Sequence, residues 1–180
     1  NPGMLQGWWQ KDAARHLQQF ADDMVAGKRP KLIVQAPPQH GKSETIVDFI
    51  AWLAGRNPDL RTIYASFSER LGVRANMNLQ RDFDTDRYQN AFPALKISGA
   101  GPGNYGPALR NREMLEYIGR RGYFRNTTVG GAVTGESLDL AVLDDPLKGR
   151  DEANSETVRD KVWSWLTDDF LTRFSDNAGL

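Results

Sequence analysis

One stretch of eight residues constrains this chain more than any other: Ala36-Pro37-Pro38-Gln39-His40-Gly41-Lys42-Ser43. It follows a short apolar run, Leu32-Ile33-Val34, which reads as a buried strand. It precedes a segment from about Lys42 to Leu53 that reads as a helix closed by Gly55 and Asn57-Pro58. Strand, glycine-bearing turn and helix in that order make a phosphate-binding loop, here with Walker A spacing and alanine in place of the first glycine. Backbone N–H groups wrap the phosphates, and the positive end of the following helix points at them. Gly41 lets the backbone approach closely. Lys42 brings a full charge to the β- and γ-phosphates, and Ser43 offers a hydroxyl to Mg²⁺. The expected binding set is Pro38, Gln39, His40, Gly41, Lys42, Ser43 and Glu44.

The rest of the chain supplies a frame for such a loop. Trp9, Ala13, Leu17, Phe20 and Met24 recur at three- and four-residue spacing and are followed by Gly27, the pattern of an amphipathic helix with a glycine stop. Arg61 to Ala65 reads as a second strand, with Ser68 placed to cap a helix running to about Phe83. Ser98 to Gly106 is rich in Gly and Pro and reads as an irregular loop. Residues 113–129 alternate weakly, as a hairpin would. Leu138 to Leu143 is a third buried strand, and Val158, Val162, Leu166 and Phe170 mark a last amphipathic helix. Strands alternating with helices predict an α/β domain, a P-loop NTPase fold with a largely parallel central sheet flanked by helices.

Asp144-Asp145-Pro146 ends the third strand. A carboxylate at the C-terminal edge of a buried parallel strand stands where ligands of such sheets gather, and it can hold the water shell of Mg²⁺. Asp144 is assigned that role with Ser43, and Asp145 that of orienting or deprotonating the attacking water. With Lys42 these residues predict an ATP hydrolase that uses ATP and Mg²⁺.

Composition narrows the partners. The chain has 23 Lys plus Arg against 23 Asp plus Glu and no cysteine, so disulfides and thiolate metal sites are excluded. No apolar run approaches the roughly 18 residues of a membrane span, and no signal peptide is recognisable. A nucleic-acid binder that relies on bulk attraction is usually basic, so any contact with DNA is expected to be local and transient.

These residues resemble the large terminase subunits of tailed phages, in the branch whose loop reads like Ala-Pro-Pro-x-His-Gly-Lys-Ser. Further blocks fit in order: Trp9-Gln10, Tyr64-Ala65-Ser66-Phe67-Ser68, Tyr88-Gln89-Asn90-Ala91-Phe92-Pro93, and Thr128 to Gly135. Asp144-Asp145-Pro146-Leu147-Lys148, Trp163, and Phe170-Leu171-Thr172-Arg173-Phe174 complete the pattern. The resemblance implies a motor domain over residues 1–180 that hydrolyses ATP to drive double-stranded DNA into a procapsid. It implies a homo-oligomeric ring on the portal protein, a small terminase subunit that selects DNA, and a place at the procapsid portal in the cytoplasm of the infected bacterial host. It also implies that Gln10 reads the adenine. The ends at Asn1 and Leu180 read as those of a fragment, monomeric by itself and without the nuclease domain that follows in the family.

Two departures stand out. Gln39 replaces an arginine common in the loop, and Glu136-Ser137 fills a stretch where relatives often carry a basic residue. The segment with Arg110, Arg112, Arg120, Arg121 and Arg125 could instead supply a charge-neutralising arginine or touch DNA phosphates. His40 is expected to shape the loop, His16 to lie at the surface, and Trp52, Trp163 and Trp165 to pack in the core or between helices. A helicase-like remodelling ATPase and a nucleotide-binding assembly module with little activity alone are the competing readings.

Overall fold

The computed structural model describes residues 7–98, 108–133 and 135–180, so the expected loop from Ser98 to Gly106 falls, except for Ser98, outside the described residues. Among the described residues five strands are present: β1 (Arg61–Ser66), β2 (Met114–Glu116), β3 (Tyr123–Thr128), β4 (Leu138–Asp144) and β5 (Phe174–Gly179). They form one sheet in the order β2-β3-β1-β4-β5. β1 runs parallel to β3 and β4, and β5 runs parallel to β4; β2 closes the expected hairpin antiparallel to β3. The sheet is therefore mostly parallel, as expected.

Helices cover both faces, which is why the central strands carry apolar residues almost continuously. On one face Tyr64, Phe124 and Leu140 pack against α1 (Trp8–Val25), α2 (Lys42–Arg56) and α3 (Glu69–Phe83). On the other, Ile63, Ala65 and Ala141 meet Trp165 and Phe170. Short helices α4 (Asp86–Ala91), α5 (Gly149–Asn154) and α6 (Glu156–Ser164) complete the frame. α1 buries Leu17, Phe20, Ala21 and Met24 and stops at Gly27, whose φ of 72° only glycine adopts freely. Among the described residues no helix is long and apolar enough to cross a membrane.

Four local expectations need correction. The strand at Leu32-Ile33-Val34 does not form. β5 occupies the edge of β4, and this run keeps only two backbone bonds at its base, Leu32 N–H to Leu180 O (2.8 Å) and Leu180 N–H to Pro30 O (3.1 Å). With no ladder beyond them, Ile33 is 86% exposed. An apolar cavity of about 330 Å³ lies between this run, β4 and the helices, lined by Leu17, Phe20, Val34, Ile46 and Val142. Gly55 does not close α2, which continues to Arg56; it is buried where a Cβ would stand 2.4 Å from Cγ of Phe92. Ser68 takes the N-cap position of α3 but makes no capping bond.

The fourth correction concerns the last helix. α6 passes at Trp165 into a π-helical turn, Trp165–Phe170. The wider turn replaces the four-residue stripe and buries Trp165 and Phe170, stacked with centroids 4.9 Å apart. Val158, Val162 and Leu166 are only part-buried. Of the tryptophans, Trp165 is core and Trp52 stacks on Phe49 at the surface of α2, whereas Trp163 is 65% exposed and packs in neither core.

Candidate phosphate-binding site

Parallel pairing brings the C-terminal ends of three strands level. Ser66 at the end of β1 faces both Thr128 of β3 and Asp144 of β4. The start of α2 lies against this edge. Gly41 is its N-cap residue at φ 76° and Gln39 stands at φ 65°, so two left-handed residues turn the loop into the helix. As in any helix, the N–H groups of the first turn have no partner within α2, and such groups can meet an anion. Thr45 N–H returns to Gly41 O at 2.9 Å and starts the helical ladder.

Four of the predicted residues meet here. Lys42 Nζ lies 3.0 Å from Asp145 Oδ1 and 3.4 Å from Asp144 Oδ1. Ser43 Oγ donates to Asp144 Oδ2 at 3.4 Å. Burial disfavours the charged form of Lys42, but the hydrogen bond it donates to Asp145 and the charges of both aspartates outweigh it, and the ammonium is held above its ordinary range. Asp144 is nearly enclosed at 11% side-chain exposure, whereas Asp145 is 59% exposed. Asp145 owes its direction to a left-handed backbone (φ 44°), pinned by Phe67 N–H to Asp145 O at 3.2 Å. A non-glycine residue held in that region at a site edge is strain of the kind that persists where the surroundings over-determine it.

The remaining predicted residues are grouped more loosely. His40 is exposed, with its ring Nδ1 2.9 Å from Pro38 O, which agrees with a loop-shaping role. Gln10 reaches the loop through Nε2 to His40 O at 3.3 Å, while its Oε1 accepts from Gly7 N–H. Glu44 accepts from Asn78 of α3 at 3.4 Å. His16 is at the surface beside Asp12.

Sequence reasoning gave no role to Tyr64, whose buried hydroxyl donates to Asp144 Oδ2. Burial first, then the charge and hydrogen bond of Asp144, push its phenol far up, so it stays a donor. Only the register of β1 on β4 reveals this contact. Of the five arginines, Arg110 is tied to Asp84 and Gln80, and Arg125 to Glu136 and Ala132 O.

A mostly parallel α/β sheet with a lysine, a serine and two aspartates gathered at its strand ends is a domain built to hold charged groups at that edge. A family model described as "Terminase large subunit, T4likevirus-type, N-terminal" matches residues 33–179. The chain belongs to this family, whose place is in phage DNA packaging. The match begins at Ile33, so α1 and Gln10 lie ahead of it. No curated protein matches the chain.

Proposed function

We propose that this chain is a P-loop ATPase motor domain that hydrolyses ATP to translocate double-stranded DNA into a procapsid. One observation carries the reading: Lys42 and Ser43, at a glycine-opened helix start, converge on Asp144 and Asp145 at the end of β4. Membership of the terminase large-subunit family supports the packaging role.

The donors suit Mg²⁺, which prefers a few hard oxygens and phosphate to an all-protein cage. Ser43 Oγ and Asp144 Oδ2 lie on one side of the loop, 3.4 Å apart. Ser43 and Asp144 would hold Mg²⁺, which would supply charge neutralisation to the phosphates. Lys42 exchanges its two carboxylate partners for phosphate oxygens. Asp145, released and solvent-facing, accepts the proton of the attacking water. Gln10, which reaches the loop at His40 O, is the proposed contact to the base. Double-stranded DNA, the portal protein, a small terminase subunit and further copies of this chain in a ring are the proposed partners, in the cytoplasm of an infected bacterium.

The test is nucleotide binding and turnover by wild type, Lys42→Ala and Asp145→Asn. Lys42→Ala is expected to weaken ATP binding at least tenfold, about 1.4 kcal/mol. Asp145→Asn is expected to keep binding and to lose about 10²- to 10⁴-fold in turnover within an assembled ring. Unchanged binding by Lys42→Ala would sink the phosphate-loop assignment. Full turnover by Asp145→Asn would remove the base.

A further inference from the structure

Tyr64 lies in the middle of β1, deep in the core, yet its hydroxyl ends at the candidate site. We infer that Tyr64 is a positioning residue: its hydroxyl fixes the Asp144 carboxylate in the orientation that presents an oxygen to the cation-bearing phosphates. The inference rests on the reading of Asp144 as the metal-side carboxylate and goes beyond it.

Three observations carry it. First, Tyr64 is 2% exposed, and its ring packs 6.2 Å from that of Phe124 within the core cluster. The hydroxyl therefore has its place set by the core and not by a loop. Second, Tyr64 pairs with Val142 across the parallel ladder, which sets Asp144 two residues further on the same face. A long side chain reaches such a diagonal neighbour, and the hydroxyl donates to Oδ2. Third, among the described residues the other side-chain partners of Asp144, Lys42 and Ser43, both come from the start of α2. Those are the groups a bound nucleotide draws to itself. Tyr64 is the contact that remains when they turn away.

Partners of this kind behind a metal-side ligand set its direction, and their loss costs about 10- to 100-fold in metal affinity. Tyr64→Phe removes the hydroxyl and keeps the ring in the core. The measurement is ATP affinity by calorimetry in EDTA and in Mg²⁺, with Mn²⁺ uptake by electron paramagnetic resonance in the presence of ATP. Expected is a loss of about tenfold in the Mg²⁺-dependent gain in ATP affinity and in Mn²⁺ uptake, with EDTA affinity within about twofold of wild type. In an Asp144→Asn background the same change is expected to add nothing, because residues acting as one unit are not additive.

Equal losses in EDTA and Mg²⁺, with a lower unfolding temperature, mark a packing role and overturn the inference. Independent, additive effects of Tyr64→Phe and Asp144→Asn overturn it as well. A wild-type chain that gains nothing from Mg²⁺ removes the metal role of Asp144 and the inference with it. The phosphate loop fails separately, through Lys42→Ala in EDTA.

Discussion

At Gly55 a hydrogen in place of a methyl group is what lets α2 lie against Phe92. A Cβ there would stand 2.4 to 2.7 Å from three atoms of that ring. The ring itself packs on Tyr88, with centroids 5.0 Å apart, which opposes its moving aside. Gly55→Ala sets a helix-propensity gain of about 1 kcal/mol against an overpacking cost of about 1–3 kcal/mol. The close approach decides for the cost. A net loss of about 1 kcal/mol and a fall of roughly 2–4 °C in the unfolding midpoint are expected by thermal denaturation; a rise would show that Phe92 moves aside freely. The sequence marked this glycine as a helix stop, since spacing alone cannot tell a stop from a close contact. That Lys42, Ser43, Asp144 and Asp145 come together was legible, because a glycine-bearing turn into a helix and the end of a buried parallel strand meet at one sheet edge. The left-handed backbone at Asp145 was not, for aspartate rarely adopts it without tertiary help.

Among the elements, β1, α2 and β4 were readable from apolar runs and helical spacing, and β5 was not. Its Ser175-Asp176-Asn177 is polar, and it pairs with β4 through an irregular register. What binds it is a polar knot at the end of the sheet away from the phosphate loop. Arg61 grips Asp139 by two side-chain bonds, Nε to Oδ2 at 2.9 Å and Nη2 to Oδ1 at 2.8 Å, and Ser175 Oγ adds a third at 2.6 Å. The knot ties β1, β4 and β5 together. Burial alone would raise the Asp139 carboxyl, but the hydrogen bonds from Arg61 and Ser175 outweigh it and hold the group below its ordinary range. A carboxyl depressed in the folded state stabilises above its unfolded pKa, about 3.9, and the contribution disappears as pH falls through the lower folded value. Asp139→Asn is therefore expected to cost about 1–2 kcal/mol at pH 7, the low end for charged hydrogen bonds because the pair is partly exposed. Urea unfolding at pH 7 and at pH 3 checks this: the gap to wild type should narrow in acid, and a constant gap would show that Asp139 acts through shape alone.

For the molecule as a whole, zero net charge and the placement of its arginines limit how it can hold DNA. Arg110 and Arg125 are committed to internal partners, which leaves Arg112, Arg120 and Arg121 exposed among the five. Arg120 and Arg121 precede β3, so they lie at the end of the sheet opposite Asp144, about 20 Å away along a six-residue strand. Arg112 precedes the antiparallel β2 and so lies at the same end as the site, but three strand spacings from β4, roughly 14 Å. None of these three stands within hydrogen-bond reach of the loop, so an arginine from this segment would have to act on a neighbouring copy. Their number sets the salt dependence expected of DNA binding through this segment. Three released counterions give a slope of about −2.7 in log K against log salt. Fluorescence anisotropy of a labelled duplex from 50 to 200 mM salt is expected to show weak binding with a slope no steeper than about −3. Arg112→Ala, Arg120→Ala and Arg121→Ala together should flatten it. A steeper slope, or one that survives the triple substitution, would place the DNA-contacting surface elsewhere on the chain.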